Sequence, residues 1–217
     1  MRRWAGVFPA VTTKLQQGGA LDIGATQTSI ERLIQNGVSG VVVLPMLGEN
    51  ASLSPQERES VIRAASEVVG GRVPLLCGLA EISTVNATRS AKSYQSFGAE
   101  GLMVFPSLAY MTDGRETAEW FKAIAASSDL PIMIYNNPIA YKVDVTPDVL
   151  RELADVPAIQ CSKEESGDIR RVTDIYNELG NRFSVFCGVD DLILESMALG
   201  TTGWVSGMTN TWPKECV

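Results

Sequence analysis

The sequence predicts an α/β fold in which eight short strands alternate with helices, a (β/α)8 barrel, and three observations carry that prediction. Apolar, β-branched-rich runs recur along the whole chain without polar alternation, as strands buried on both faces do. Amphipathic segments with helical spacing separate them. Glycines close five of those segments, at Asn36-Gly37, Gly70-Gly71, Phe97-Gly98, Leu179-Gly180 and Leu199-Gly200, where helices commonly end.

In chain order, strands are predicted at Gly6–Val11, Gly40–Leu44, Val73–Leu79, Gly101–Phe105, Ile132–Tyr135, Ala158–Cys161, Phe183–Cys187 and Gly203–Val205. Helices are predicted at Ile23–Asn36, Pro55–Val69, Thr84–Phe97, Arg115–Ala126, Pro147–Ala154, Ile169–Leu179 and Asp191–Leu199. Two of them have explicit start signals. Ser54-Pro55-Gln56-Glu57 is a capping box with proline at the first helical position, and Thr146-Pro147-Asp148 repeats the cap-plus-proline device. No linker or low-complexity stretch interrupts the alternation, so residues 1–217 are expected to form a single domain.

The competing architecture is a doubly wound open sheet. It normally offers a glycine-rich phosphate loop after its first strand. Here that position holds Thr12-Thr13-Lys14-Leu15-Gln16-Gln17-Gly18-Gly19, which is neither of the known fingerprints. The barrel is favoured. A typical barrel takes roughly 250 residues, and Val217 follows the eighth strand closely, so the eighth helix and any C-terminal helical extension are expected to be missing.

Composition narrows the chemistry. A net charge of −7 without a basic cluster argues against nucleic acid or an anionic membrane as partner. The start, Met1-Arg2-Arg3-Trp4, resembles neither a secretory signal nor a membrane span. Cys77, Cys161, Cys187 and Cys216 lack paired spacing, and the first three read as buried free thiols of a cytoplasmic protein. Histidine is absent altogether, which removes Ser-His and Cys-His pairs, His-ligated zinc and imidazole catalysis. No carboxylate cluster has metal-ligand spacing, Asp190-Asp191 reading as a helix start, so neither metal nor cofactor is expected.

Lysine and tyrosine remain. Lys163 follows the sixth strand and Tyr135 ends the fifth, which puts them at the barrel mouth roughly 5 Å apart by strand spacing. Taken singly, each reads more readily as a solvated lysine and a packing tyrosine than as chemistry. Together they are an amine that can attack a 2-keto carbon and a phenol that can shuttle protons. Gly48 could let backbone N–H groups approach a substrate carboxylate, or could simply belong to a plain turn.

These strand ends carry a family resemblance. Pro45-Met46-Leu47-Gly48-Glu49, Tyr135-Asn136-Asn137-Pro138 and Lys163-Glu164-Glu165-Ser166-Gly167-Asp168 stand in the order and spacing of three motifs: G-x-x-G-E, Y-N-x-P and K-[DE]-x-[ST]-G-D. The chain thereby resembles the dihydrodipicolinate synthase / N-acetylneuraminate lyase superfamily of class I aldolases, from Gly6-Val7-Phe8-Pro9-Ala10 to Ser206-Gly207. The resemblance implies a (β/α)8 (TIM) barrel, Lys163 as Schiff-base nucleophile and Tyr135 as proton shuttle. It also implies that Met46 and Leu47 cradle a 2-keto acid carboxylate, that Gly188 and Ser206 line the pocket, and that the protein is a homotetramer.

Departures from the pattern bear on the substrate. The first motif has proline for its first glycine, and Met46 and Leu47 stand where the synthase proper has hydroxyls. Leu108 replaces the second tyrosine of its proton relay, and Ala140 replaces an arginine for a dicarboxylate. Tyr135 would then exchange protons with water or with the substrate itself. Pro-Met-Leu-Gly-Glu-Asn with Tyr-Asn-Asn-Pro looks more like the pyrroline-4-hydroxy-2-carboxylate deaminases. The leading expectation is therefore a Schiff-base lyase of a small 2-keto or cyclic imino acid, in particular that deaminase. The alternatives are 4-hydroxy-tetrahydrodipicolinate synthase, a 2-keto-3-deoxy sugar acid aldolase or dehydratase, and a barrel that keeps the pocket without turnover.

Overall fold

The computed structural model describes residues 4–217, so the reading of the Met1-Arg2-Arg3 start lies outside the described residues. The strands are β1 (Gly6–Pro9), β2 (Val41–Val43), β3 (Leu75–Leu79), β4 (Gly101–Val104), β5 (Ile132–Asn136), β6 (Ile159–Glu164), β7 (Ser184–Cys187) and β8 (Gly203–Ser206). The helices are α1 (Ile23–Gln35), α2 (Pro55–Val69), α3 (Thr84–Phe97), α4 (Gly114–Ala125), α5 (Pro138–Tyr141), α6 (Pro147–Glu152), α7 (Arg170–Leu179), α8 (Ile193–Ala198) and α9 (Pro213–Cys216). All strand pairs are parallel, in the order β1-β8-β7-β6-β5-β4-β3-β2. The ring closes between β1 and β2 through a bridge of Ala10 to Val42 and a bond from Val11 N to Val42 O of 2.9 Å. This is the expected (β/α)8 barrel.

The strand period of two sorts residues into two layers. Phe8, Val42, Leu76, Met103, Met133 and Phe186 fill the barrel interior with Cys161 and Val205. Val41, Leu75, Leu102, Ile134, Ile159 and Val185 pack outward with apolar faces of the helices, such as Ile30, Ile62, Phe121 and Val172. The Ser54–Glu57 capping box forms with both bonds present, and Thr146 caps α6.

Several boundaries differ from expectation. β1 stops at Pro9, and Ala10 and Val11 serve the closure instead. α4 begins one residue early because Asp113 and Glu116 form a second capping box. The helix predicted at Asp191–Leu199 begins only at Ile193, after a 3-10 turn over Asp190–Leu192, because the Asp190 carboxylate is engaged elsewhere. Neither α5 nor α9 was expected. Asn137 caps α5, with Pro138 at its first position, and α9 follows a 3-10 turn over Met208–Asn210 after β8. The largest revision is β6, predicted to stop at Cys161 but running through Ser162, Lys163 and Glu164.

Candidate active site

β6 acquires its orientation from a bulge. Ile132 pairs with Ile159 but Met133 pairs with Cys161, so Gln160 is one residue more than β5 supplies. Ile159 belongs to the outer layer and Cys161 to the interior. The extra residue therefore flips the alternation, as bulges do. From there on odd numbers face inward, and Lys163 pairs in register with Tyr135. The ladder continues past the strand, since Glu165 N donates to Asn136 O at 2.9 Å. Residues 161, 163 and 165 thus share one side.

Lys163 and Tyr135 meet inside the barrel. The Lys163 side chain is buried, and its Nζ lies 3.7 Å from the centroid of the Tyr135 ring. Glu165 joins them: its Oε2 is 2.7 Å from Lys163 Nζ and accepts the Tyr135 hydroxyl at 2.7 Å. Asn137 Nδ2 donates to the same hydroxyl at 3.3 Å. Burial holds the Lys163 amine below its ordinary range, against Glu165, Asp190 and Cys187, which favour the ammonium. Burial pushes the Tyr135 phenol well above its range, and the Glu165 charge adds to that. An amine with a lowered pKa beside a phenol that stays protonated suits nucleophilic attack followed by proton donation.

The β2 end forms the opposite wall. Leu44 has φ 54, a left-handed conformation that costs a leucine about 1–3 kcal/mol. It persists because buried Asn50 donates through Nδ2 to Leu44 O at 2.8 Å and Gly78 O at 2.9 Å. The kink aims a 3-10 turn, Met46–Gly48, across the mouth.

The cavity between these walls measures about 270 Å³ and is lined by Tyr135, Lys163, Glu165, Met46, Leu47, Gly188, Asp190 and their neighbours. A larger groove of about 750 Å³ runs past β8, α8 and α9, but its wall is mostly apolar and, among the described residues, holds no lysine and no tyrosine. Chemistry, not size, marks the smaller one.

Of the sequence-predicted residues, Lys163, Tyr135, Met46, Leu47 and Gly188 come together in this cavity, and Gly48 and Ser206 do not. Gly48 N donates to Pro45 O at 2.9 Å, and a Cβ there would meet Pro45 Cδ at 2.7 Å and Val11 O at 2.8 Å. Glycine is needed at that position for close packing, and its N–H is occupied. Ser206 is fully buried and accepts from Thr209 N at 3.0 Å, which caps the turn after β8. Gly188 has a stricter reason to be glycine. A Cβ would stand 2.8 Å from Lys163 Cε and 2.8 Å from Glu165 Cβ.

Three further residues escaped sequence reasoning. Glu165 did so because the strand was ended too early; continuing the alternation from Lys163 would have found it. With it, the expectation that Tyr135 exchanges protons only with water or substrate is corrected, since its hydroxyl is bonded to a carboxylate. Asp190, read as a helix start, instead accepts from Trp204 Nε1, Gly207 N and Met208 N at 3.1, 3.2 and 2.9 Å, tying the β7 and β8 ends together. Asn137 is the middle residue of Tyr-Asn-Asn-Pro, a position without an obvious pattern. Among the described residues no group of three His, Cys, Asp or Glu could hold a metal ion, and no helix is long and apolar enough to cross a membrane.

A parallel barrel with an inward lysine and tyrosine on neighbouring strand ends defines a lyase of the aldolase type. The sequence matches the dihydrodipicolinate synthetase family over residues 3–217, and the chain belongs to that family. It is 36% identical over 215 residues to the 4-hydroxy-tetrahydrodipicolinate synthase of Methanoculleus marisnigri, covering 98% of this chain and 74% of that one. To the probable 2-dehydro-3-deoxy-D-pentonate aldolase YjhH of Escherichia coli K12 it is 30% identical, covering 99% of this chain and 72% of the relative. Among solved structures, a dihydrodipicolinate synthase of Bacillus anthracis superposes with a TM-score of 0.95 at 28% identity, over 99% of this chain and 74% of that one. YagE of Escherichia coli K12, described in complex with pyruvate, gives 0.94 at 29%, over 99% and 73%.

Proposed function

We propose that this protein forms a Schiff base between Lys163 and the carbonyl carbon of a small 2-keto acid, and makes or breaks the bond next to it. The observation that carries the reading is the buried Lys163 amine, open to the cavity and flanked by the Tyr135 hydroxyl system. In this reading the amine attacks C2 and the iminium becomes the electron sink. Tyr135 moves the protons, and the substrate carboxylate rests against the Met46–Leu47 turn. The YagE structure's bound pyruvate supports a 2-keto acid as the common part of the substrate.

The remainder of the substrate is a hydroxylated chain, as in a 2-keto-3-deoxy sugar acid. Charge favours that choice. Among the described residues Lys163 is the one cationic side chain of the cavity wall, against Glu165 and Asp190. A second carboxylate on the substrate would face two like charges and no arginine, Ala140 standing where one was looked for. That weighs against a dicarboxylate-making synthase, although most of the relatives compared bear the synthase name. The pyrroline-4-hydroxy-2-carboxylate deaminase expectation gains no support from the relatives, whose names fit the alternative better, a 4-hydroxy-tetrahydrodipicolinate synthase or a 2-keto-3-deoxy sugar acid aldolase.

Incubation with pyruvate and borohydride is expected to add the mass of a reduced pyruvyl group at Lys163, and Lys163→Ala to abolish both the adduct and turnover. A panel of 2-keto-3-deoxy acids, hydroxyproline-derived imino acids and pyruvate with aldehydes then ranks the substrates. Turnover that survives in Lys163→Ala would sink the reading, and a catalytically silent chain that still binds pyruvate would favour the non-catalytic barrel.

A further inference from the structure

We infer that Glu165 is a third catalytic residue, the proton carrier that takes two protons from the lysine nitrogen and delivers them, through Tyr135, to the departing carbonyl oxygen. The inference rests on the Lys163 Schiff-base reading above and adds to it the group that touches the lysine nitrogen in a site where Met46, Leu47 and Leu108 stand in place of relay hydroxyls.

Proton balance sets the requirement. An ammonium with three N–H bonds must become an iminium with one, and the carbonyl oxygen must leave as water with two O–H bonds. Two protons therefore move from nitrogen to oxygen, and no oxidant or reductant is needed. A carrier has to touch the nitrogen and also reach the oxygen. One atom does both: Glu165 Oε2, 2.7 Å from Lys163 Nζ and 2.7 Å from the Tyr135 hydroxyl.

The steps then close. Oε2 takes a proton from Nζ, and the freed lone pair attacks C2 while the C=O π pair moves onto oxygen. That oxygen takes the Tyr135 proton, and Tyr135 is re-protonated from the Glu165 acid. Oε2 next takes a proton from the nitrogen of the carbinolamine and passes it along the same path. The C–O bond breaks, water leaves, and the nitrogen lone pair forms C=N⁺. Glu165 ends as it began, a carboxylate.

Among the described residues no other group of the wall bridges Nζ and the Tyr135 hydroxyl, and Tyr141, beside Tyr135, does not line the cavity. Asp190 spends both oxygens on three N–H donors of the β8 side. The Cys187 thiol donates to Val189 O. Met46, Leu47 and Leu108 have no exchangeable proton. Gly188 leaves the space in which Lys163 and Glu165 meet, a Cβ there standing 2.9 Å from Glu165 Oε2.

The test is the rate of borohydride-trapped adduct formation with pyruvate in the parent and in Glu165→Gln, across pH. Gln keeps the shape but cannot carry a proton, so its plateau rate is expected to fall about 10²- to 10⁴-fold. Its pH midpoint should also move down, because the charge that favours the ammonium is gone. Asp190, Cys187, Tyr135 and, on α5, Tyr141, which also face this cluster, are unchanged. That move reports the lost charge alone; the lost proton carrier is read from the plateau together with the rescue that follows. A second variant, Glu165→Ala, is expected to regain trapping when formate is added. Trapping by Glu165→Gln at the parental rate overturns the inference, as does indifference of Glu165→Ala to formate. Absence of any adduct in the parent fails the Schiff-base reading instead and removes the inference with it.

Discussion

Glu164 and Glu165 are neighbours in sequence at the end of β6, and the two sides of that strand put them in different chemistry. Glu164 faces outward with Asn136, its register partner on β5. It accepts Asn136 Nδ2 at 2.9 Å and Ser166 N at 2.7 Å, while Asn136 Oδ1 accepts Val145 N at 2.8 Å. Arg171 grips Asp144 through two bonds of 2.8 and 2.9 Å in the same network. The Asn136 amide nitrogen donates to both carboxylates, Glu164 and Asp144. Glu165 faces inward, where its neighbours are the cavity, an amine and a phenol. The outward pair holds the loops after β5 and β6; the inward trio is left with groups that can change protonation. A motif such as Tyr-Asn with Lys-Glu-Glu therefore interleaves two functions at period two.

The bulge at Gln160 sets which residues fall on which side, so shifting that parity with one alanine inserted between Cys161 and Ser162 is the strongest way to break the comparison. The insertion moves Lys163 one position along β6, opposite Asn136 instead of Tyr135, and turns it toward the helices, leaving an unpaired buried charge that costs several kcal/mol. The expected result is a sharp loss of soluble yield and Tm, with no pyruvate adduct in what remains. A well-folded insertion variant that still traps pyruvate at Lys163 would refute the role of strand parity.

Tyr135→Phe separates the two sides more finely. Phenylalanine keeps the edge-to-face contacts with Phe105 at 4.8 Å and Tyr141 at 5.6 Å, so Tm should move little. It removes the hydroxyl between Glu165 and the substrate, so kcat should fall about 10²- to 10⁴-fold. Equal turnover by the two proteins would take Tyr135 out of the chemistry.

The barrel was legible in the sequence because strands buried on both faces, capped helices and terminal glycines are local signals, each strong enough alone. Lys163 and Tyr135 were legible as strand-end residues of unusual type in a chain without histidine. The side each residue faces was not. It depends on one extra residue in β6, which no local pattern marks, and on polar residues inside a strand, which hydrophobic runs exclude by construction. For that reason the apolar run marks β6 only to Cys161, Glu165 falls beyond it, and nothing local shows that packing keeps Gly48 and Ser206 out of the cavity. The αL conformation of Leu44 was equally hidden, because it is imposed by Asn50 and Gly78 from a distance.

The smallest expected effect isolates the outward side by itself. Burial holds the Glu164 carboxyl above its ordinary 4.5, against the bonds from Ser166 and Asn136 and the charge of Arg171. A carboxyl raised in the folded state keeps its proton there after the unfolded chain has lost it. Its contribution to stability is therefore full below 4.5 and declines as pH rises through the raised folded value. Glu164→Gln has no proton to lose. The difference in Tm, variant minus parent, should thus become more positive as pH climbs upward from 4.5 and level off once the parent has ionised. Asp144, whose carboxyl is held low by Arg171, titrates in both proteins and drops out of the difference. Turnover should stay within a few-fold at all pH values, because the Glu164 side chain does not line the cavity. Calorimetry at stepped pH checks the sign. A Tm difference that is flat or moves the other way would mean that hydrogen bonding fully offsets burial at Glu164, and a large loss of turnover would mean that the two sides of the strand are not separable.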